Sequence, residues 1–325
     1  MTRVIRIHET GGPEVLRVEE ETVPEPGLGQ VRVRHTAIGL NYIDTYHRSG
    51  LYSPGELPAV LGVEAAGVIE ALGPEVDDLR VGQRVAYATA GPGAYSEARL
   101  AEAARLVPLP DGVSDEAAAA LLLKGMTVEF LVRRVFPVEP GQTVLFHAAA
   151  GGVGSIACQW LAHLGVTVIG TVGSDEKAAL AKAHGCAHTI VYSRESFVDR
   201  VREITEGRGV PVAYDSVGKA TFSGSLDCLA PRGMLVTFGN ASGKPDPIDP
   251  LVLGAKGSLY LTRPSLFTYV ATRPELLESA RALFELVEAG IIGSEVRQSW
   301  PLAEAAEAHR ALESRQTTGA SVLIP

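Results

Sequence analysis

Thr143-Val144-Leu145-Phe146-His147-Ala148-Ala149-Ala150-Gly151-Gly152-Val153-Gly154 is the stretch on which the fold turns. Its first five residues read as a strand, glycines follow at once, and Val153 to Leu164 reads as a helix. Glycine suits such a turn because a side chain would hold the backbone away from a pyrophosphate. Unpaired N–H groups at the helix N-terminus then face the phosphate charge. The last glycine, Gly154, lets the helix lie close on the strand. An ordinary tight strand-to-helix turn without a ligand is the competing reading.

Downstream the pattern repeats. Thr167 to Val172 is the next strand, followed by a helix through about Ala183. Thr189-Ile190-Val191, Val212-Ala213-Tyr214 and Met234 to Phe238 continue the series. Strands alternating with helices imply right-handed crossovers and a doubly wound parallel sheet, an α/β architecture. Upstream, the texture is β-rich. Val31-Arg32-Val33-Arg34 alternates apolar and charged residues, Val63 to Leu72 is apolar with an interior glycine, and Val81 to Ala86 follows an acidic turn. Dense breakers such as Gly11-Gly12-Pro13, Pro24-Glu25-Pro26-Gly27 and Gly91-Pro92-Gly93 suggest a compact, partly barrel-like β domain. Near Ser114, a plausible N-cap, an Ala- and Leu-rich helix begins. Pro274 to Ala289 reads as an amphipathic helix, and Ser321 to Pro325 as a strand expected to return to the first domain.

With 325 residues, two domains are expected. Lys plus Arg is 29 and Asp plus Glu 38, a formal charge of −9 that argues against nucleic acid and anionic membranes as partners. Cys158, Cys186 and Cys228 show no C-x-x-C spacing, so neither a disulfide framework nor a cysteine metal cage is expected. Without an apolar N-terminal core or a run long enough to span a bilayer, the expected location is cytoplasmic. The eight histidines form no ligand spacing, and Cys158 reads as core.

About 20 residues beyond the glycine turn, NAD-binding folds place a carboxylate on the ribose 2′-OH. Here the second strand ends in Thr171-Val172-Gly173-Ser174, with no acid at its tip, and Lys177 follows one helical turn later. The small polar tip leaves room for a 2′-phosphate and Lys177 offers it a charge, so NADPH is expected over NADH. Asp175 and Glu176 weigh against this, although acids early in a helix also serve its dipole. A solvated Lys177 is the alternative.

Gly62-Val63-Glu64-Ala65-Ala66-Gly67, the Val81-Gly82-Gln83-Arg84-Val85 segment, the Ala-Ala-Gly-Gly-Val-Gly turn and Asp215-Ser216-Val217-Gly218 together make the chain resemble the medium-chain dehydrogenase/reductase superfamily over essentially its whole length. That resemblance implies a Rossmann sheet, residues 125–263, inserted into a GroES-like catalytic domain, residues 1–124 and 264–325, with the active site in the cleft. Zinc members carry a Cys and a Gly-His-Glu segment as catalytic ligands. Here those positions look like Asn41 and Val63, and residues 90–110 lack the four cysteines of a structural zinc lobe. No metal is expected.

Gly39-Leu40-Asn41-Tyr42-Ile43-Asp44-Thr45-Tyr46-His47-Arg48-Ser49-Gly50-Leu51-Tyr52 is most similar to the zinc-free NADPH:quinone oxidoreductases, the zeta-crystallin-like group. The resemblance implies Asn41, Asp44, Tyr46, Tyr52 and Thr127 as catalytic-site residues, with Asn41, Ile43, Tyr46 and Thr127 also meeting the nicotinamide. It places Gly151, Gly152 and Val153 on the pyrophosphate. Gly173, Ser174, Lys177 and Tyr192 would surround the 2′-phosphate, and Ser216, Phe238, Gly239 and Asn240 would follow the strand ends. Arg315 would return to the adenosine end. The tyrosines as buried aromatics, Asp44 as a local cap and Asn41 as a turn residue are the plainer alternatives. The expected activity is NADPH-dependent quinone reduction. Reduction of an activated C=C bond in an enal or enone is the second reading, and an NADPH-binding structural or RNA-binding protein the third. A homodimer through the cofactor domains is implied by the same resemblance.

Overall fold

A computed structural model describes residues 1–314 and 317–325. Two compact units emerge: Met1–Met126 with Val270–Pro325, and Thr127–Tyr269. The sequence predicts junctions after residues 124 and 263, a few residues earlier at each crossing. Packing explains the difference. Gly125 lies so close to Leu283 that an added Cβ would sit 2.3 Å from a Leu283 methyl, which ties this turn to the first unit. Phe130 stacks on Tyr269 with centroids 4.8 Å apart, and Arg134 donates to the Tyr269 carbonyl at 2.6 Å, which ties residues up to 269 to the second.

The first unit opens with β1 (Thr2–Ile7), β2 (Arg17–Glu21), β3 (Gln30–Leu40), α1 (Tyr42–Ser49), β4 (Ala59–Val60), β5 (Ala65–Leu72), β6 (Arg84–Tyr87), β7 (Ala98–Glu102), β8 (Val107–Pro108) and α2 (Asp115–Phe130), whose last four residues belong to the second unit. Val31 and Val33 of β3 point into the core while Arg32 and Arg34 turn outward, the alternation read from the sequence. β3 pairs antiparallel with β5, Val31 opposite Leu72, and its first half also pairs with β7. Gly62, at φ +84°, packs under Tyr95, whose ring would lie 2.2 Å from a Cβ there. Only glycine supports both that backbone and that contact. Ser114 Oγ accepts from the Ala117 N–H at 3.1 Å and so caps α2.

The second unit carries β9 (Thr143–Phe146), α3 (Gly152–His163), β10 (Thr167–Val172), α4 (Asp175–Ala183), β11 (His188–Val191), α5 (Phe197–Ile204), β12 (Val210–Asp215), α6 (Phe222–Asp227), β13 (Leu229–Thr237), α7 (Leu251–Ala255), β14 (Tyr260–Thr262) and α8 (Leu266–Tyr269). Six parallel strands run in the order β11-β10-β9-β12-β13-β14. The order reverses direction at β9, the doubly wound pattern, as the strand–helix alternation predicts. Because the strands are parallel, their carboxyl ends share one edge. There Gly170 pairs with Phe146, Tyr214 with Phe146 and Asp215 with Thr237. Leu145, Ile169, Ile190, Val210, Ala213 and Leu235 are buried in the core of this unit, the near-continuous apolar strands that a sheet covered on both faces requires.

The chain then re-enters the first unit with α9 (Arg273–Glu288), β15 (Val296–Pro301), α10 (Ala305–Glu313) and β16 (Ala320–Ile324). β16 lies between β15 and β3, with Ser321 opposite Leu40 and Leu323 opposite Ile38. The larger sheet of this unit reads β15-β16-β3-β5-β6-β8, with β7 attached to β3.

Candidate functional site

In the second unit the turn after β9 is built from backbone. Ala148 sits in the left-handed region at φ +54°, a conformation that costs an L-residue about 1 kcal/mol, and its carbonyl accepts the Gly151 N–H at 2.9 Å. Gly151 then caps α3 with extended backbone and no side-chain hydrogen bond, leaving the first-turn N–H groups of a 12-residue helix without a capping side chain. A Cβ on Gly154 would lie 2.2 Å from the Ala148 carbonyl oxygen and 2.7 Å from Ala149 Cα, so this position is closed to every other residue unless the backbone moves. Ser155, in the same first turn, has a buried hydroxyl with no protein partner. A cradle of backbone donors with an unpaired buried hydroxyl fits a phosphate.

At the end of β10, Ser174 caps α4 by accepting the Lys177 N–H at 3.3 Å. Tyr192, which follows β11, donates its N–H to the Val172 carbonyl at 3.1 Å, and its hydroxyl lies 2.8 Å from where a Gly173 Cβ would be. Gly173, Ser174, Lys177 and Tyr192 are therefore gathered at one point of the sheet edge. Asp175, the first residue of α4, is held by the two terminal nitrogens of the Arg194 guanidinium at 2.7 Å each.

Further along that edge, the Asp215 carboxylate organises the loop after β12. It accepts from the Val217 and Gly218 N–H groups at 2.8 and 3.0 Å, from the Thr221 hydroxyl at 2.8 Å and from the Ser225 hydroxyl at 3.1 Å. This shapes the backbone at Ser216. Gly239 approaches so closely that a Cβ would be 2.4 Å from the Ser216 carbonyl, and Phe238 donates its N–H to the Asp215 carbonyl at 2.8 Å. Ser216, Phe238, Gly239 and Asn240 thus lie together. Thr127 is half-buried on α2. Arg315 lies outside the described residues.

In the first unit, Asn41, Ile43, Asp44 and Tyr46 lie at the start of α1, and Tyr52 lies just beyond it. The Tyr52 N–H donates to the Tyr46 carbonyl at 3.1 Å and the two rings meet edge to face at 5.1 Å. Asn41 is the N-cap, and Asp44 accepts its N–H through Oδ2 at 2.8 Å. Asp44 therefore is a local cap, one of the alternatives open at the sequence level. It is also more. Tyr95 donates to the same Oδ2 at 3.1 Å, and Oδ1 is buried without a partner. Arg48 contacts His309 Nδ1 at 3.1 Å, and His309 Nε2 contacts Tyr95 at 2.9 Å. Arginine only donates, so Nδ1 accepts, Nε2 carries the proton and every hydrogen bond in the chain points toward Asp44. Burial pushes the Asp44 carboxyl up to about 7, with the nearby Glu64 charge adding to the rise and its hydrogen bonds and Lys124 opposing it.

Asn41 donates its side-chain N–H to Glu64 Oε2 at 2.7 Å. Glu64 is fully buried and also accepts the Leu123 N–H at 2.6 Å and faces the Lys124 ammonium at 3.4 Å. Glu64 and Asp215 stand within the family markers read from the sequence but are assigned no role there, and Lys124 is given none either. Their signal was available: a carboxylate inside an apolar run, as in Val63-Glu64-Ala65, survives only with partners. Tyr95 and His309 carried no comparable signal. Among the described residues no group of three or more His, Cys, Asp or Glu side chains is placed to hold a metal ion.

Two family models match the chain, "Alcohol dehydrogenase GroES-like domain" over residues 27–111 and "Zinc-binding dehydrogenase" over residues 152–281. The two halves of a medium-chain dehydrogenase/reductase are thereby both present. The quinone oxidoreductase of Pseudomonas aeruginosa is 53% identical over the full length of both chains, and the 2-haloacrylate reductase of a Burkholderia species is 50% identical over 98% of each. Among solved structures, Escherichia coli quinone oxidoreductase complexed with NADPH superposes with a TM-score of 0.98 at 48% identity, covering all of both chains. The chain belongs to the quinone oxidoreductase family of the medium-chain dehydrogenases/reductases.

Proposed function

We propose that this chain reduces quinones at the expense of NADPH. The observation that carries the reading is the full-length likeness to a quinone oxidoreductase complexed with NADPH, joined to a β10 tip that offers Ser174, Lys177 and Tyr192 where NAD-specific folds place an acid. Gly151, Gly152 and Val153 hold the pyrophosphate through the first turn of α3, Ser174, Lys177 and Tyr192 take the 2′-phosphate, and Ser216, Phe238, Gly239 and Asn240 follow the dinucleotide along the strand ends. Asn41, Ile43, Tyr46 and Thr127 serve the nicotinamide end. When bound, the reduced dinucleotide supplies the electrons. A quinone is electrophilic enough to accept them without a Lewis acid, and what it needs from the protein is stabilisation of the charge that develops on oxygen. The Asn41 amide is engaged by Glu64. Tyr46, one helical turn into α1 and packed on Tyr52, and the second N–H of the Asn41 amide are the donors assigned to that oxygen.

Reduction of activated C=C bonds is the second reading, favoured by the likeness to a 2-haloacrylate reductase. Three free, buried cysteines fit a reducing, cytoplasmic setting, and among the described residues no helix is long and apolar enough to cross a membrane. The exposed Tyr260 on the edge strand β14 suits a homodimer formed by the second unit. One assay tests the whole: oxidation of NADPH and of NADH by the purified protein, with 1,4-benzoquinone-type acceptors set against alkenals and 2-haloacrylate. Faster turnover with NADPH and quinone is expected. NADPH oxidation by no quinone would overturn the reading, and turnover confined to the alkenes would replace it with the second.

A further inference from the structure

The β10 tip contains a contradiction that its neighbour resolves. Asp175 follows Ser174 directly and begins α4, so it places a carboxylate beside the position assigned to the 2′-phosphate. An unpaired carboxylate there would repel a phosphate dianion. The structure gives Asp175 a matched partner: Arg194 Nη1 and Nη2 contact its two oxygens at 2.7 Å each, the fork geometry that suits a guanidinium and a carboxylate. The pairing holds the Asp175 carboxyl below its usual range, so the group is ionised and its charge has to be cancelled rather than removed. Arg194 is delivered by the same segment as Tyr192. That segment is anchored to the sheet by Tyr192 N–H on the Val172 carbonyl at 3.1 Å and Arg194 N–H on the Val191 carbonyl at 2.9 Å. Ser193 adds a bond from its hydroxyl to the Gly173 carbonyl at 3.4 Å. One short loop thus supplies both an aromatic hydroxyl beside Gly173 and the cation that neutralises the acid beside Ser174.

We propose that Arg194 is a positioning residue for dinucleotide selection, which acts through Asp175 by cancelling its charge and so admits a 2′-phosphate to the Ser174 cap. This rests on the NADPH reading above. The ion pair is exposed, with 58% of the Arg194 and 73% of the Asp175 side chain accessible, so its loss leaves the fold intact and its effect is on charge.

The test is binding without turnover. Dissociation constants for NADPH and NADH are measured by fluorescence titration, with no acceptor present, on the wild type, Arg194→Gln, Asp175→Asn and the double variant. Arg194→Gln is expected to weaken NADPH about five- to tenfold and to change NADH by less than about twofold, with the effect shrinking at high salt. Adding Asp175→Asn to it is expected to restore NADPH binding to within about twofold of wild type. An unchanged NADPH-to-NADH ratio in Arg194→Gln would overturn the proposal. So would a double variant as weak as Arg194→Gln, because Arg194 would then not be acting through Asp175. Failure of the underlying reading is seen separately, in a wild type that binds NADPH no more tightly than NADH.

Discussion

Asp44 shows how one residue serves both local structure and site chemistry. As a cap it is an ordinary acid three residues into a helix. As a fully buried carboxyl receiving two hydrogen bonds on one oxygen and none on the other, it titrates near 7 rather than near 3.8. The sign of the consequence is fixed: the folded state holds this proton to a higher pH than the unfolded chain does, so the stability it contributes is complete below about 4 and is lost as the pH rises through about 7. Asp44→Asn removes the titration while keeping an acceptor for Asn41 and Tyr95. Urea unfolding at pH 5 and pH 8 is expected to show the variant gaining about 2–3 kcal/mol relative to wild type over that interval. A constant difference between the two proteins would mean that Asp44 stays ionised throughout. Glu64, by contrast, is satisfied on both oxygens, Oε2 by the Asn41 amide and the Lys124 ammonium and Oε1 by the Leu123 N–H.

At the scale of elements, the β9–α3 turn was legible because glycine records where a side chain cannot go. Gly154→Ala would place a methyl against the Ala148 carbonyl and the Ala149 backbone, atoms that cannot rotate away. The helix gains some propensity from alanine, but a shift of the turn is expected to cost about 1–3 kcal/mol net. Thermal unfolding checks this, and a variant as stable as wild type would show that α3 can lift from the sheet. Other features of the same elements left no trace in the sequence. Ala148 gives no hint of its left-handed backbone, since alanine is indifferent in composition to what φ it adopts. The Asp44–Tyr95–His309–Arg48 chain joins positions separated by 51, 214 and 261 residues, and no local pattern spans such distances. Short-range physics writes itself into sequence; tertiary hydrogen bonding between single residues does not.

At the scale of the molecule, the alternation of strands and helices was enough to predict the parallel sheet, because crossover chirality leaves few topologies. The β-rich unit was legible as a class but not in its pairing, for its central strand meets partners from both ends of the chain. β3 is flanked by β5 and β7 on one part of its length and by β16 on another. A chain ending at Gly319 lacks β16, whose Val322 and Leu323 are fully buried, and so forfeits about 3–6 kcal/mol of side-chain burial along with two ladders of backbone pairing. The expected outcome is a calorimetric trace in which the transition of the second unit, Thr127–Tyr269, persists while that of the first is lost. An unaltered trace would show that β15 can take the vacated place. The arrangement has a consequence for biosynthesis. Ile38 to Leu40 must wait for residues 321–323 before their edge is covered, an interval of some 280 residues. At ribosomal speeds that is roughly 15 to 60 s during which a sticky strand edge stands open. Translation is thus a stage at which this topology leaves a strand edge uncovered, and the protein's yield is expected to respond to a holdase acting on the nascent chain.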